Sequence, residues 1–437
     1  MKIAYIVDEF PPFFRGGLGT YAMEITREYV KNGQEITAFS RNSGKDKTSD
    51  IWNGIRVHRP MLMNMADVLP FFSPGDVARW NHGDQVQFSE TMLYNILSSS
   101  KMISDLVARE GQSFDLVAAH DWLGFPAGMI ARANLPVPLV VHYHSTEQGR
   151  SNGGGSATIQ EIERQAAMKA DLIITVSYAM RDELVRLGYP ESKIRVVYNG
   201  VDTKKYAPDS FSQREIKAFR AKIGVGDAPM IFFVGRLTWV KGADTLTAAM
   251  AQIAREVPEA KLVIVGKGEQ EDMLRQIVRS NGLENNVIFN FNYITEDERR
   301  LYYAASDICI FPSKYEPFGI VSLEAMSMGK PTIVGATGTS GFREQIIPCG
   351  EDICGFHINP HDPSDIAKFA VLLLKDKELR KTISVNSRKR VLEQFTWEKA
   401  ARDTLLVYEE AVRMYKKRVV AECEQRAISC ELKAPSN

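Results

Sequence analysis

Cysteine is scarce: five in 437 residues, at Cys309, Cys349, Cys354, Cys423 and Cys430, with neither paired metal-ligand spacing nor the density of a secreted disulfide framework. Net charge is absent as well, with 54 lysines and arginines against 54 aspartates and glutamates. That balance argues against a broad nucleic-acid or anionic-membrane surface, though local basic pockets are compatible with it. No stretch reaches the roughly 20 apolar residues of a membrane span, and the opening MKIAYIVDEF has no signal-peptide pattern. The chain therefore reads as cytoplasmic, with no nucleic-acid partner and no transmembrane segment, peripheral membrane contact being left open. The lone GKG of KLVIVGKGEQED does not complete the dinucleotide fingerprint; it reads as a turn and tells against an oxidoreductase.

What the chain does have is a series of short apolar strands alternating with amphipathic segments. KIAYIV, EITAFS, DLVAAH, PLVVHYH, DLIITVS and IRVVYN come first; MIFFVG, KLVIVG, NVIFNF, DICIFP and PTIVGA follow. Val and Ile on both faces suit strands covered by helices on both sides. In TYAMEITREYVKNG, Tyr21, Ile25 and Tyr29 recur every four residues before Asn32-Gly33 ends the helix. At 437 residues two cores are expected rather than one. The polar stretch 202–229 interrupts the series, so the expected domains are 1–205 and 206–404, with a helix at about 405–422 packing back on the first. The expected fold class is α/β, two Rossmann-like doubly wound parallel sheets facing a cleft, with functional residues in strand-to-helix loops. Residues 51–100 break the pattern; Trp52, Phe71, Phe72, Trp80, Phe88 and Tyr94 there read as packing of an irregular insertion.

Four loops carry chemistry. RGGLG brings Gly16 and Gly17 to a helix start, where amides can hold an anion, although the same loop serves equally as a tight turn. His120, Asp121 and Trp122 end one strand; His142 and His144 end the next and share a face, His144 nearer the tip. A histidine there can donate to a substrate hydroxyl or carbonyl, yet lone histidines are more often structural. GRLTWVKG sets Arg236 and Lys241 beside a helix start with nothing in the sequence to offset their repulsion, which favours a diphosphate ligand. EPFGIVSLE places Glu316 on a loop, the amides of Phe318, Gly319 and Ile320 at a helix N-terminus, and Glu324 in that helix. Carboxylates suit sugar hydroxyls and amides suit phosphates, the order found in a nucleoside diphosphate sugar.

Taken together and in order, E-x7-E, GRLTWVKG, RGGLG, VVYNGVD and FTWEKAA resemble the retaining glycosyltransferases of family 4, and among them most closely the glycogen and starch synthases. The likeness runs from about residue 1 to 420. It implies a GT-B architecture and a hexosyltransferase that moves glucose or a related hexose from UDP- or ADP-sugar to a hydroxyl acceptor, with no cofactor beyond that donor and, because no D-x-D motif occurs, with no metal. A transferase making a lipid-linked, cell-surface or small-molecule glycoside is the alternative. Carried over by motif, Glu316 binds the transferred sugar and Glu324 the ribose. Arg236 and Lys241 hold the diphosphate with help from the Gly16, Gly17 and Phe318–Ile320 amides. His144 bonds the donor sugar and Asn199 contacts it. Where the synthases carry lysine before GGL, this chain has Arg15.

Overall fold

The computed structural model describes residues 1–12, 16–65 and 75–431, with side chains as far as 424. Arg15, Phe71, Phe72 and the side chain of Cys430 lie outside the described residues. The chain forms two compact units. One holds Met1–Thr175, Leu184–Val197 and the stretch from Ala401; the other holds Val176–Glu183 and Tyr198–Ala400.

The first unit is built on eight strands: β1 (Lys2–Ile6), β2 (Glu35–Phe39), β3 (Ser49–Trp52), β4 (Ile55–His58), β5 (Leu116–His120), β6 (Leu139–Tyr143), β7 (Leu172–Thr175) and β8 (Ile194–Val196). Their order is 3-4-2-1-5-6-7-8, parallel throughout except for β3 against β4. Central strands are buried along their whole length, as LVAAH and LVVHY are, because helices cover both faces. The helix Gly17–Lys31 buries Tyr21, Ile25 and Tyr29, the residues that its spacing of four put on one face.

Residues 51–100 correct the sequence reading. Among their described members, β3 and β4 form an antiparallel pair at the sheet edge and His82–Ser100 is a 19-residue helix, so these parts are not an irregular insertion. Asn81 starts that helix by accepting the Asp84 N–H, while Phe88 and Tyr94 pack inward. Its many Ser, Thr and Asn residues weaken the apolar period, which is why the pattern was hard to see. From Ala401 onward the long helix Trp397–Glu431 belongs to this unit, where Tyr408 bonds His142, Glu410 pairs with Arg195 and Arg418 pairs with Asp171.

The second unit has six parallel strands, β9 (Met230–Val234), β10 (Lys261–Val265), β11 (Val287–Asn290), β12 (Ile308–Phe311), β13 (Thr332–Gly335) and β14 (Gly355–Ile358), in the order 11-10-9-12-13-14. Strand β14, GFHI, was not anticipated; four residues led by glycine carry little strand signal. The order reverses between β9 and β12, and at such a switch the loops leaving the carboxyl ends of the two strands diverge and leave a crevice. Close backbone approach fixes those loops. Gly242 has φ +70°, and a Cβ there would lie 2.0 Å from Pro312 O. The NGVD and FTW motifs also meet here: Val201 bridges Thr396, and a Cβ on Gly200 would lie 2.3 Å from Trp397 N.

Candidate active site

In the second unit the switch point gathers the expected residues of two loops. Lys241 Nζ lies 2.5 Å from Glu316 Oε2, and Ser313 Oγ donates to the same oxygen at 3.3 Å. Glu316 is 8% exposed, and its backbone is pinned on both sides: its N–H donates to Thr339 O and its C=O accepts from Gly341 N–H. This pairing corrects one step of the sequence argument. The charge of Lys241 is offset within the protein by Glu316, so repulsion from Arg236 does not by itself demand a diphosphate. Arg236 is exposed and has no hydrogen bond or ion pair with any described residue.

The helix Ile320–Ser327 begins at Gly319 with no side-chain cap and no acidic residue in its first turn. The amides of Phe318, Gly319 and Ile320 therefore have no acceptor among the described residues, beside a carboxylate already held by lysine. Asn199 is buried next to Tyr198, whose ring stacks on Phe318 at 5.9 Å, so the VVYNGVD and EPFG motifs share one wall.

Glu324 sits in the same helix but in a different setting. Its Oε1 accepts from Tyr206 Oη and Arg299 Nη2, both at 3.0 Å, and its Oε2 accepts from Tyr303 Oη at 2.9 Å. Two carboxylate oxygens offer about four acceptor positions, so these three donors leave one. Sequence reasoning named Glu324 and missed all three partners, which lie 118, 25 and 21 residues away.

In the first unit, Gly16 caps the helix Gly17–Lys31 in extended conformation with no side-chain bond, and its N–H donates to Glu9 Oε2 at 3.1 Å. A Cβ on Gly16 or Gly17 would meet nothing within 4 Å. Packing among the described residues therefore does not call for glycine at either position.

His144 stands just beyond β6, half-buried, with the fully buried His120 and His142 behind it. His120 Nδ1 is 3.1 Å from His144 Nε2, and His142 Nε2 is 2.8 Å from Tyr408 Oη. Asp121 opens a helix directly after β5 at φ +51° and accepts the His144 backbone N–H at 2.8 Å. Tyr21 meets the His144 ring edge-on at 4.5 Å. Burial holds all three histidines below the usual imidazole value, so they are neutral near pH 7. Their ligand atoms lie within 4.8 Å of one another, yet their rings are stacked, with interplanar angles of 14–28°.

A cavity of about 300 Å³ opens elsewhere in this unit, lined by Lys2, Glu35, Thr37, Arg56 and residues 111–114 at the amino-terminal ends of β1 and β2. Ligands of doubly wound sheets bind at the opposite, carboxyl ends, so this cavity is not taken as the active site.

Two doubly wound parallel sheets with charged and hydrogen-bonding groups at the carboxyl ends of their strands match the GT-B class of enzymes. Residues 215–390 match the family Glycosyl transferases group 1, and residues 15–205 match Glycosyltransferase Family 4. An uncharacterised glycosyltransferase of Methanocaldococcus jannaschii is 31% identical over 419 residues, 95% of this chain and 99% of that one. A glycogen synthase of Mycobacterium tuberculosis is 28% identical over 425 residues, 94% and 95% of the two chains. Among solved structures, Anabaena HepE in complex with UDP-glucose superposes with a TM-score of 0.69 at 21% identity, covering 95% of this chain and all of that one. The chain belongs to the glycosyltransferases, and its fold is GT-B. No helix among the described residues is long and apolar enough to cross a membrane.

Proposed function

We propose that this enzyme is a retaining, metal-independent family 4 hexosyltransferase that moves glucose, or a related hexose, from UDP- or ADP-sugar to a hydroxyl acceptor by glycogen-synthase-like α-glucan elongation in the cytoplasm. The observation that carries this reading is the Lys241–Glu316 contact beside the uncapped amides of Phe318, Gly319 and Ile320. A cation, a carboxylate and open N–H groups side by side suit one ligand holding both phosphates and sugar hydroxyls. The glycogen synthase relative and the UDP-glucose complex of HepE support the donor and acceptor class.

In this reading Arg236, Lys241 and the helix amides take up the charge that develops on the departing diphosphate, the largest single contribution to rate. Glu316 accepts from hydroxyls of the transferred hexose, Asn199 contacts that sugar, and Glu324 offers its remaining acceptor position to the ribose. The Gly16 and Gly17 amides assist at the phosphates, and His144 donates a hydrogen bond to the sugar. No cofactor beyond the nucleotide sugar is needed.

Release of UDP or ADP from a panel of sugar donors, with and without glycogen, tests the reading. Glycogen-stimulated release from UDP- or ADP-glucose is expected. Turnover that ignores glycogen but responds to a small-molecule or lipid acceptor would reassign the acceptor, and no release from any glucosyl donor would remove the function.

A further inference from the structure

Among the buried ring nitrogens of the first unit that have no hydrogen-bond partner among the described residues are His120 Nε2 and His142 Nδ1. The first belongs to the imidazole whose Nδ1 lies 3.1 Å from His144 Nε2. A neutral imidazole carries one proton, so this contact has two forms. If His144 Nε2–H donates, the proton of His120 is forced onto Nε2, where it is a buried N–H with no acceptor. If His120 Nδ1–H donates, Nε2 is only a bare lone pair. Orphaned buried N–H groups are the rarer and costlier of the two.

We propose that His120 is a positioning residue for His144: it donates from Nδ1–H to His144 Nε2 and so fixes the His144 proton on Nδ1, the ring nitrogen left without a partner among the described residues. Its neighbours hold the ring in place for that bond. His120 and His144 stack at 5.4 Å and 23°, Tyr21 closes the ring edge at 4.5 Å, and Asp121, the next residue after His120, anchors the His144 backbone. One strand-to-helix turn thus controls both the orientation and the tautomer of His144. The consequence for chemistry, which rests on the function proposed above, is that His144 meets the sugar as a hydrogen-bond donor through Nδ1. The tautomer itself does not depend on that function.

The test is long-range proton–nitrogen NMR on the full chain with ¹⁵N-labelled histidine, signals being assigned with His144→Gln. Wild type is expected to show His144 protonated at Nδ1 and bare at Nε2. His120→Phe, which removes the donor, should give a mixture of tautomers and lower kcat roughly tenfold to a hundredfold with KM little changed. His120→Asn, whose amide can donate from near the Nδ1 position, should restore the tautomer and most of kcat. A wild-type ring protonated at Nε2, or a His144 tautomer unchanged in His120→Phe, overturns the proposal. Undiminished turnover in His144→Gln would instead count against the role given to His144 and leave the tautomer result standing.

Discussion

Lys241 and Glu316 are 75 residues apart in sequence, and their side chains meet at 2.5 Å where the loops after β9 and β12 diverge. Lys241 is 22% and Glu316 10% exposed at the side chain, so the pair is partly shielded from water. Removing one member of such a pair leaves the other desolvated without compensation.

Lys241→Met should therefore lower stability by about 1–3 kcal/mol, whereas Arg236→Met, at an exposed position without a partner among the described residues, should stay within about 0.5 kcal/mol. Adding Glu316→Gln to Lys241→Met should recover much of the loss. Urea midpoints measure all three. Turnover should fall in both single variants, so stability separates two cations to which function gives the same task. Equal midpoints for the two would remove the structural part of the pairing.

Glu324 carries a different signature. Truncation to alanine strips Tyr206, Tyr303 and Arg299 of their shared acceptor inside the second unit. A loss of about 2–4 kcal/mol is expected. Glu324→Gln, which keeps an acceptor oxygen, should lose less and weaken donor binding more than it weakens the fold. Thermal unfolding together with donor KM for the two variants decides this, and an alanine variant as stable as wild type would contradict the network.

The glycines divide by what surrounds them. Gly200 cannot accept a Cβ without moving the Thr396–Trp397 backbone, so Gly200→Ala should destabilise strongly. Gly17, the first residue of its helix, where an added Cβ would meet no described atom within 4 Å, should tolerate alanine with an unchanged or slightly higher melting temperature. Loss of donor affinity in that stable variant would mark ligand approach at Gly17, and full retention would remove Gly17 from the site.

Acid should weaken the fold. Burial pushes His58 down to about 4 from 6.5 and keeps His120, His142 and His144 low as well. An unfolded chain takes up protons near pH 6.5 that these folded rings refuse, so stability declines as pH falls below about 6.5 and goes on declining towards about 4 for His58. Glu163 acts in the opposite sense. Burial pushes its carboxyl up to about 8 against the pull of Arg150, so between about 4.3 and 8 its contribution grows as pH falls. Glu163→Gln should consequently show a steeper acid decline than wild type in melting scans from pH 8 to 5. A shallower decline would contradict the assignment.

Much of this was legible in the sequence for a physical reason. Strands buried on both faces must be apolar throughout, and helices between them must repeat near 3.6, so LVAAH, MIFFV and TYAMEITREYV announced their roles. Loops at strand ends could be named because Gly, Arg and Glu at such places have few structural uses. Partners across long separations could not. Nothing in GRLTWVKG reveals that its lysine ends on Glu316, and nothing in EPFGIVSLE shows Glu324 surrounded by Tyr206, Arg299 and Tyr303. The helix His82–Ser100 was missed because polar residues blurred its period, and β14 because four residues hold too little pattern. His120 was seen at its strand end, but its contact with His144 depends on the parallel register that sets His120 opposite His142.

The central claim is that Glu316, held by Lys241, grips an activated sugar. Release of UDP or ADP from the preferred glucosyl donor should be measured for wild type and Glu316→Gln, with folding of the variant checked by circular dichroism. The account predicts a folded variant whose turnover is lower by about a hundredfold or more; a folded variant turning over at close to the wild-type rate would contradict it.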